Sequence, residues 1–514
     1  MRLRLLRPSV LLGLLLLAVA AFTTAATSWA ADLKGGRLRV ALLADMTNFD
    51  PQQFSTVNFP LIKNFYDSLL EYTPDGKAVP SLASSWEIAP DNKSATVKLR
   101  NDVKFHSGAP FNAEAVATTL KKSADPQKGK NVYATMSFVK DWTVVDPQTI
   151  RLNFTGPAPE RQVTDLLQFL AIMDPAGIDT IEQKPAGTGP YTLGERVVGQ
   201  RIVLKANPNY WREKQPLSEE IVLTIFSDDG AATAALESGA VDLIYGGTSR
   251  SAVRLKSAGY QLIQGPGPLV QVFRINSTRG PFKNAKFRQA FNHLMDRPGI
   301  LRVGYAGLGE VVALPWAPAS PAFDKSYNEK FAFSTDKAKA LLAESGLPQA
   351  EMNNWKLLVN GSDQPSVAIS QVVQGSLQRA GIAIELDMKQ GAEFTDALLA
   401  GRFDAVFGAI GNIQKFPTRV ATNSIYRTAN NPILGNPHPH PEYVAAIERV
   451  NTTFGSGADA KAAYDNLNKV MVETAFAIPT NTYDTGLIVA AKNVDGFSLD
   501  IDNMLVARTI GFKP

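Results

Sequence analysis

No cysteine occurs anywhere in the 514 residues. That absence removes thiolate metal sites, cysteine nucleophiles, redox pairs and any lipid carried on an N-terminal cysteine. Histidine is nearly as scarce, at four, so nucleophilic or metal chemistry has few bases and few nitrogen ligands to draw on. Charge is thin as well, 19% of residues against 45% apolar. No basic stripe interleaved with aromatic residues appears, only short pairs such as Lys121-Lys122, which argues against a nucleic-acid partner. Also missing are a G-x-x-x-x-G-K-[ST] phosphate loop, an H-E-x-x-H pair, a carboxylate-rich calcium loop and a G-x-S-x-G elbow. Spacing singles out no acid–base pair of carboxylates. Such pairs can lie far apart in sequence, so an exported hydrolase stays open as a second class of function.

What is present is apolar material enough for a large core, divided by length into two or three domains. The first thirty residues read as a cleaved signal peptide. Arg2, Arg4 and Arg7 precede an apolar run from Val10 through Ala21, and Ser28-Trp29-Ala30 offers a small-x-small exit, with cleavage after Ala30. The competing reading is an uncleaved anchor, because Val10 to Ala26 is nearly long enough to span a bilayer. Without the three leader arginines the 52 basic residues fall to 49, against 48 acidic ones, so the mature chain is nearly neutral.

After the leader, Arg37 to Leu43 reads as a first strand running into the polar loop Asp45–Pro51. Lys93 to Arg100 alternates as a half-buried strand should, and Asn112 is placed to cap a helix whose stripe is Val116, Ala117 and Leu120. A helix over 229–238 is closed by Gly239 and feeds the strand Val241–Ile244. Asn284 caps a helix with Phe287, Ala290, Phe291, Leu294 and Met295 inward. Ser334 or Thr335 caps the next, and a helix over 366–380 is closed by Gly381. The strand 382–388, a helix through Ala397–Leu399 and the strand 403–407 follow. Helix and strand alternate, so this stretch predicts an α/β layer with a largely parallel sheet. Pro/Gly-rich junctions at 183–190 and 265–268 are crossover points between lobes.

Of the histidines, His106 precedes a tight turn and His293 lies on a helix. His438 and His440, in Asn436-Pro-His-Pro-His-Pro441, are the weak metal candidates. On an extended segment their rings project to one side, whereas in a polyproline-like segment they diverge.

Taken together, many segments resemble the family-5 extracellular solute-binding proteins of ABC importers, the dipeptide, oligopeptide and nickel-binding type. The resemblance rests on Tyr66-Asp-Ser-Leu-Leu70, Pro80 to Trp86, Val97 to Gly108, Ala113 to Val116 and Gly187-Thr-Gly-Pro-Tyr191. It continues through Ala235 to Asp242, Phe287-Arg-Gln-Ala-Phe291 with Asp296-Arg297, Lys337 to Leu342, Gly401 to Ala405 and Ala477-Ile-Pro479. It implies a two-lobed periplasmic-binding-protein-like α/β fold, of type II with an extra accessory domain, hinged between lobes. Lobe one is expected at 32–56, 186–270 and 482–514, the accessory domain at 57–185 and lobe two at 271–481. It further implies a periplasmic monomer without cofactor or catalysis. Such a protein passes a peptide-like, opine-like or saccharide solute to inner-membrane permease subunits.

Peptide-taking members place an aspartate soon after the Gly-x-Phe-Asp-Ala strand, as counter-charge for the ligand ammonium. Here Asn412 stands at about that point and Lys415 is the next charge. Some dipeptide binders carry an arginine before the helix that here begins near Ser366, but Val359 to Pro365 has none. Both departures point to a modified or uncharged-amine peptide-like metabolite, an opine-like conjugate or a saccharide; a nickel chelate capped by His438 or His440 ranks lower. The expected cleft residues are Asn48, Phe49 and Asp50 after the first strand, Trp316 between prolines, Asp363, Asn412, Gln414 and Lys415.

Overall fold

The strand Arg37–Leu42 sits inside a seven-stranded sheet, paired in parallel with Glu220–Ile225 on one side and Leu243–Tyr245 on the other. A strand flanked on both edges buries both faces. Leu38, Val40 and Leu42 enter one core with Tyr191, Ile202 and Leu204. Ala41 points the other way, into a smaller core with Ala232 and Leu236 of the helix Asp229–Glu237. This is a computed structural model, and it describes residues 33–46, 48–53, 62–265, 267, 269–455 and 457–514. The leader expected over 1–30 lies outside the described residues.

A second sheet has five strands. Lys356–Asn360 pairs in parallel with both Glu385–Lys389 and Ala405–Ile410. Leu269–Ile275 runs antiparallel to both its neighbours, Ala405–Ile410 and Ala477–Tyr483, so one reversed strand makes the sheet mixed. The strand expected over 382–388 forms at Glu385–Lys389. Its intended start is held elsewhere, with the Ile382 amide donating to Leu377 and the Ala383 amide to Asn353 Oδ1 at 2.8 Å. The helix Ala285–Leu294 begins under the Asn284 cap, where Phe287 N donates to Asn284 Oδ1 at 3.1 Å. Its stripe of Phe287, Ala290, Phe291 and Leu294 is buried with Phe273, Phe282, Trp355 and Phe407 in an aromatic-rich core.

The accessory domain is a four-stranded antiparallel sheet, Ala83–Ile88, Ser94–Leu99, Thr149–Phe154 and Val139–Asp146 in spatial order. The helices Ala113–Ser123 and Glu160–Phe169 bury their apolar faces in the same core. That core runs from Leu69 to Ile172, whereas Ile62, Phe65, Tyr66, Met173 and Ile181 belong to the core of lobe one. Where the two meet, Gly187-Thr-Gly-Pro190 lies against the chain at 64–66. A Cβ on Gly189 would sit 2.4 Å from the Phe65 carbonyl carbon, so only glycine permits this approach.

The chain crosses between the large sheets twice. It leaves the first after the strand Gln261–Ile263 and enters the second at Leu269, then returns after Tyr483 to Ile488–Ala490. The crossings run side by side: a Cβ on Gly267, at φ +79°, would sit 2.9 Å from Thr482 Cβ. Two adjacent crossings with glycine at 265, 267 and 486 are what a hinge requires.

Candidate functional site

Three segments far apart in sequence meet where lobe one, the accessory domain and lobe two come together. The first is one face of the helix Glu160–Phe169. Val163, Leu166 and Leu167 point into the accessory core, which leaves Arg161, Asp165 and Gln168, at spacings of four and three, on the opposite side. The second is the lobe-two loop 411–419, and the third is the loop 500–504 near the C-terminus.

Lys415 joins all three. Its ammonium donates to Gln168 Oε1 at 2.6 Å and to Asp502 Oδ2 at 3.1 Å, and lies 5.4 Å from the centre of the Tyr72 ring. The residue is 1% exposed. Asp502 also accepts from Gln168 Nε2 at 3.1 Å and from Gln414 Nε2. Burial by itself would raise the Asp502 carboxyl, but the ammoniums of Lys415 and Lys63 outweigh it and hold the group below the usual carboxylate range. Asp500 goes the other way: burial prevails over the attraction of Lys63, 3.0 Å away. Backbone bonds complete the seam. Phe416 N donates to Asp165 Oδ2 at 2.7 Å, and Arg161 Nη2 donates to the Gln414 carbonyl at 3.1 Å.

Residues that Lys415 contacts border two separate spaces. Gln168, Phe169, Lys63, Tyr66, Asp502 and Met504 enclose a chamber of about 20 Å³, room for about one water. Tyr72, Arg161, Phe323, Phe416, Tyr464 and Asn468 line a groove of about 890 Å³ between the accessory domain and lobe two.

Of the expected cleft residues, Gln414 and Lys415 reach this junction. Asn412 shapes the turn before them, with φ of 63° and its carbonyl accepting from Lys415 N at 3.1 Å; asparagine tolerates that left-handed backbone. The others are engaged elsewhere. Phe49 is fully buried edge-on to Phe65 in lobe one, at 5.5 Å, because its ring completes that core. Asp50 is buried in an ion pair with Lys122 at 2.6 Å, tying lobe one to the accessory domain, and Asn48 Oδ1 accepts from Asp50 N. Trp316 fills the core of lobe two and donates to Asn468 Oδ1 at 2.6 Å, so its face is not free to stack on a solute. Asp363 caps the helix Gln364–Arg379, accepting from Ser366 N at 3.0 Å.

His438 and His440 do not form a metal pair. Their rings are drawn into the lobe-two core around Phe476, His440 stacked on it at 5.2 Å. His440 Nε2 bonds to Ser277 Oγ at 2.8 Å and His438 Nδ1 accepts from His440 N. Among the described residues no group of three or more His, Cys, Asp or Glu is placed to hold a metal ion. Burial first, and then the nearby charges of Arg288 and His438, push His440 down to about 3. Below its ordinary 6.5 the unfolded chain takes up a proton that the folded chain refuses, so stability falls as pH drops through that value. The loss expected at pH 5 is about 2 kcal/mol. His440→Phe, which keeps the stack on Phe476, is expected to flatten the difference between urea midpoints at pH 7 and pH 5. An unchanged difference would assign the acid sensitivity elsewhere.

Sequence reading missed Gln168, Asp502, Arg161, Asp165 and Arg419. The one local signal was the polar face of the helix Glu160–Phe169, visible as Arg161, Asp165 and Gln168 among leucines.

Two α/β lobes joined by paired crossings, with a polar junction between them, define a bilobal solute-binding protein. The family model for bacterial extracellular solute-binding proteins, family 5 (middle), matches residues 77–431, and the chain belongs to that family. It is similar to the glutathione-binding protein GsiB of Escherichia coli K12, 27% identical over 382 residues covering 73% of each chain. Among solved structures it superposes on CtaP of Listeria monocytogenes with a TM-score of 0.80, at 20% identity, over 94% of this chain and 100% of that one. It superposes on AgaA of A. tumefaciens R10, in complex with agropinic acid, with a TM-score of 0.77, at 22% identity, over 93% and 99%. The chain is thus a substrate-binding protein of an ABC importer.

Proposed function

We propose that this chain, exported through its leader to the periplasm, takes up a small peptide-like or opine-like solute between its lobes as a monomer. It passes that solute unchanged to inner-membrane permease subunits. The observation that carries the reading is the junction itself, where Lys415 of lobe two locks onto Gln168 and Asp502 of the opposite side. A seam so formed holds the lobes together. The groove of about 890 Å³ between the accessory domain and lobe two is of the size that small-molecule sites occupy. Ligand binding signals to a permease only if it favours one of the two lobe arrangements over the other.

The solute class draws support from the relatives. GsiB is named for glutathione, a modified tripeptide, and AgaA was solved with agropinic acid. The nickel-chelate reading loses its histidines, since His438 and His440 are used in the lobe-two core. Isothermal titration with glutathione, agropinic acid and a panel of plain dipeptides tests the class. One-to-one binding of a modified or opine-type compound, recovered chemically intact, is the expected result. Tight binding of a plain dipeptide would overturn the class, and conversion of the bound compound would favour an exported hydrolase.

A further inference from the structure

Four arginines are buried among the described residues: Arg274, Arg288, Arg297 and Arg419. Arg288 and Arg297 spend their donors on the fold, while Arg274 makes one bond and leaves its Nε buried without a partner. Arg297 bonds to the carbonyls of Val312, Pro479, Asn292 and Phe331 and to Asn292 Oδ1. Arg288 holds the carbonyls of Thr474, Phe282 and Lys283, and Arg274 holds that of Ala409. Arg419 is different. It is 9% exposed, its Nε is buried without a partner, and its guanidinium makes no hydrogen bond or ion pair with any described residue.

Its position is at the junction. Arg419 lies on the short helical turn Pro417–Thr422, directly after the loop that carries Lys415. The guanidinium carbon is 5.5 Å from the centre of the Phe169 ring, and Phe169 lines the small chamber with Gln168, Asp502 and Met504. The other charges there are matched: Lys63 with Asp500, Lys415 with Asp502 and Arg161 with Asp165. Arg419 feels the attraction of Asp165 and Asp502, both already paired, and makes no ion pair of its own. A largely buried guanidinium whose Nε has no acceptor is costly unless something supplies an oxyanion. Its planar fork matches the two oxygens of a carboxylate.

We propose that Arg419 is the specificity-determining residue that binds a carboxylate of the solute, so that this protein selects acids over their neutral analogues. The proposal rests on the solute-binding reading and narrows it. The relatives' compounds, glutathione and agropinic acid, are both carboxylic acids. The segment before the Ser366 helix holds no arginine, which counted against a plain dipeptide; Arg419 supplies a fork from another loop.

The test is titration of the full mature protein with glutathione and agropinic acid, each beside its methyl esters. The acid that binds is expected to exceed its ester by on the order of 100-fold. Arg419→Met should abolish that preference, and Arg419→Lys, which keeps the charge without the fork, should recover part of it. In protein stripped of bound solute, Arg419→Met is expected to melt at or above the wild-type temperature, because it removes a buried charge that makes no ion pair or hydrogen bond. A fall of several degrees would make Arg419 a structural donor and overturn the proposal. Equal binding of acid and ester would overturn the anchor yet leave the solute-binding reading standing. If neither acid binds and only neutral molecules co-purify, the anchor also fails; if no small molecule binds or co-purifies at all, the solute-binding reading fails with it.

Discussion

Lys415→Met is expected to destabilise the protein by about 3–5 kcal/mol, because it leaves Asp502 buried without its counter-charge. Lys415 is 1% exposed and bridges Gln168 and Asp502 across the junction, so the loss includes the link between the lobes as well as the ion pair. Urea unfolding measures the first part, and the radius of gyration of the folded protein, expected to rise, measures the second. The double variant Lys415→Met with Asp502→Asn should recover most of the stability, since it removes the stranded carboxylate along with the ammonium. It should not restore the compact radius. A Lys415→Met protein with wild-type stability and radius would mean that the seam holds nothing together.

Arg297→Met carries the other large effect, a loss of at least about 4 kcal/mol, from stranding carbonyl acceptors that cannot reach water. Through five bonds the guanidinium joins the helix Arg297–Tyr305 to the strand Ala477–Tyr483, to the loops at 312 and 331 and, by two of the five, to Asn292 of the helix Ala285–Leu294. Burial alone pushes the guanidinium down to about 9. Solute affinity per folded molecule should be unchanged, because none of these partners borders the junction. The opposite signs expected for Arg297→Met and Arg419→Met separate a buried arginine that serves the fold from one that serves a ligand.

Local chemistry made much of the scaffold readable. Asn112 and Asn284 announce helices that begin where expected, and the Phe287, Ala290, Phe291, Leu294 stripe finds the core its spacing demands. The candidate site was less legible, for a physical reason. Lys415 meets Gln168 across 247 positions and Asp502 across 87, and no periodicity links residues brought together only by the packing of three bodies. Trp316 between prolines looks like a stacking platform, yet a large apolar ring gains more from the lobe-two core, where Asn468 also satisfies its N–H. Asp50 looked like a loop carboxylate because its partner, Lys122, lies on a helix of another domain. Arg419 drew no notice because nothing in Pro417 to Thr422 sets it apart; only the absence of partners around a buried guanidinium does.

Native mass spectrometry of the protein purified gently from the cells that export it tests the central claim most directly. One small acid per chain, released with its mass unaltered, is the predicted spectrum. A chain that retains nothing, or that frees a molecule cleaved or rebuilt from the one supplied, would contradict it.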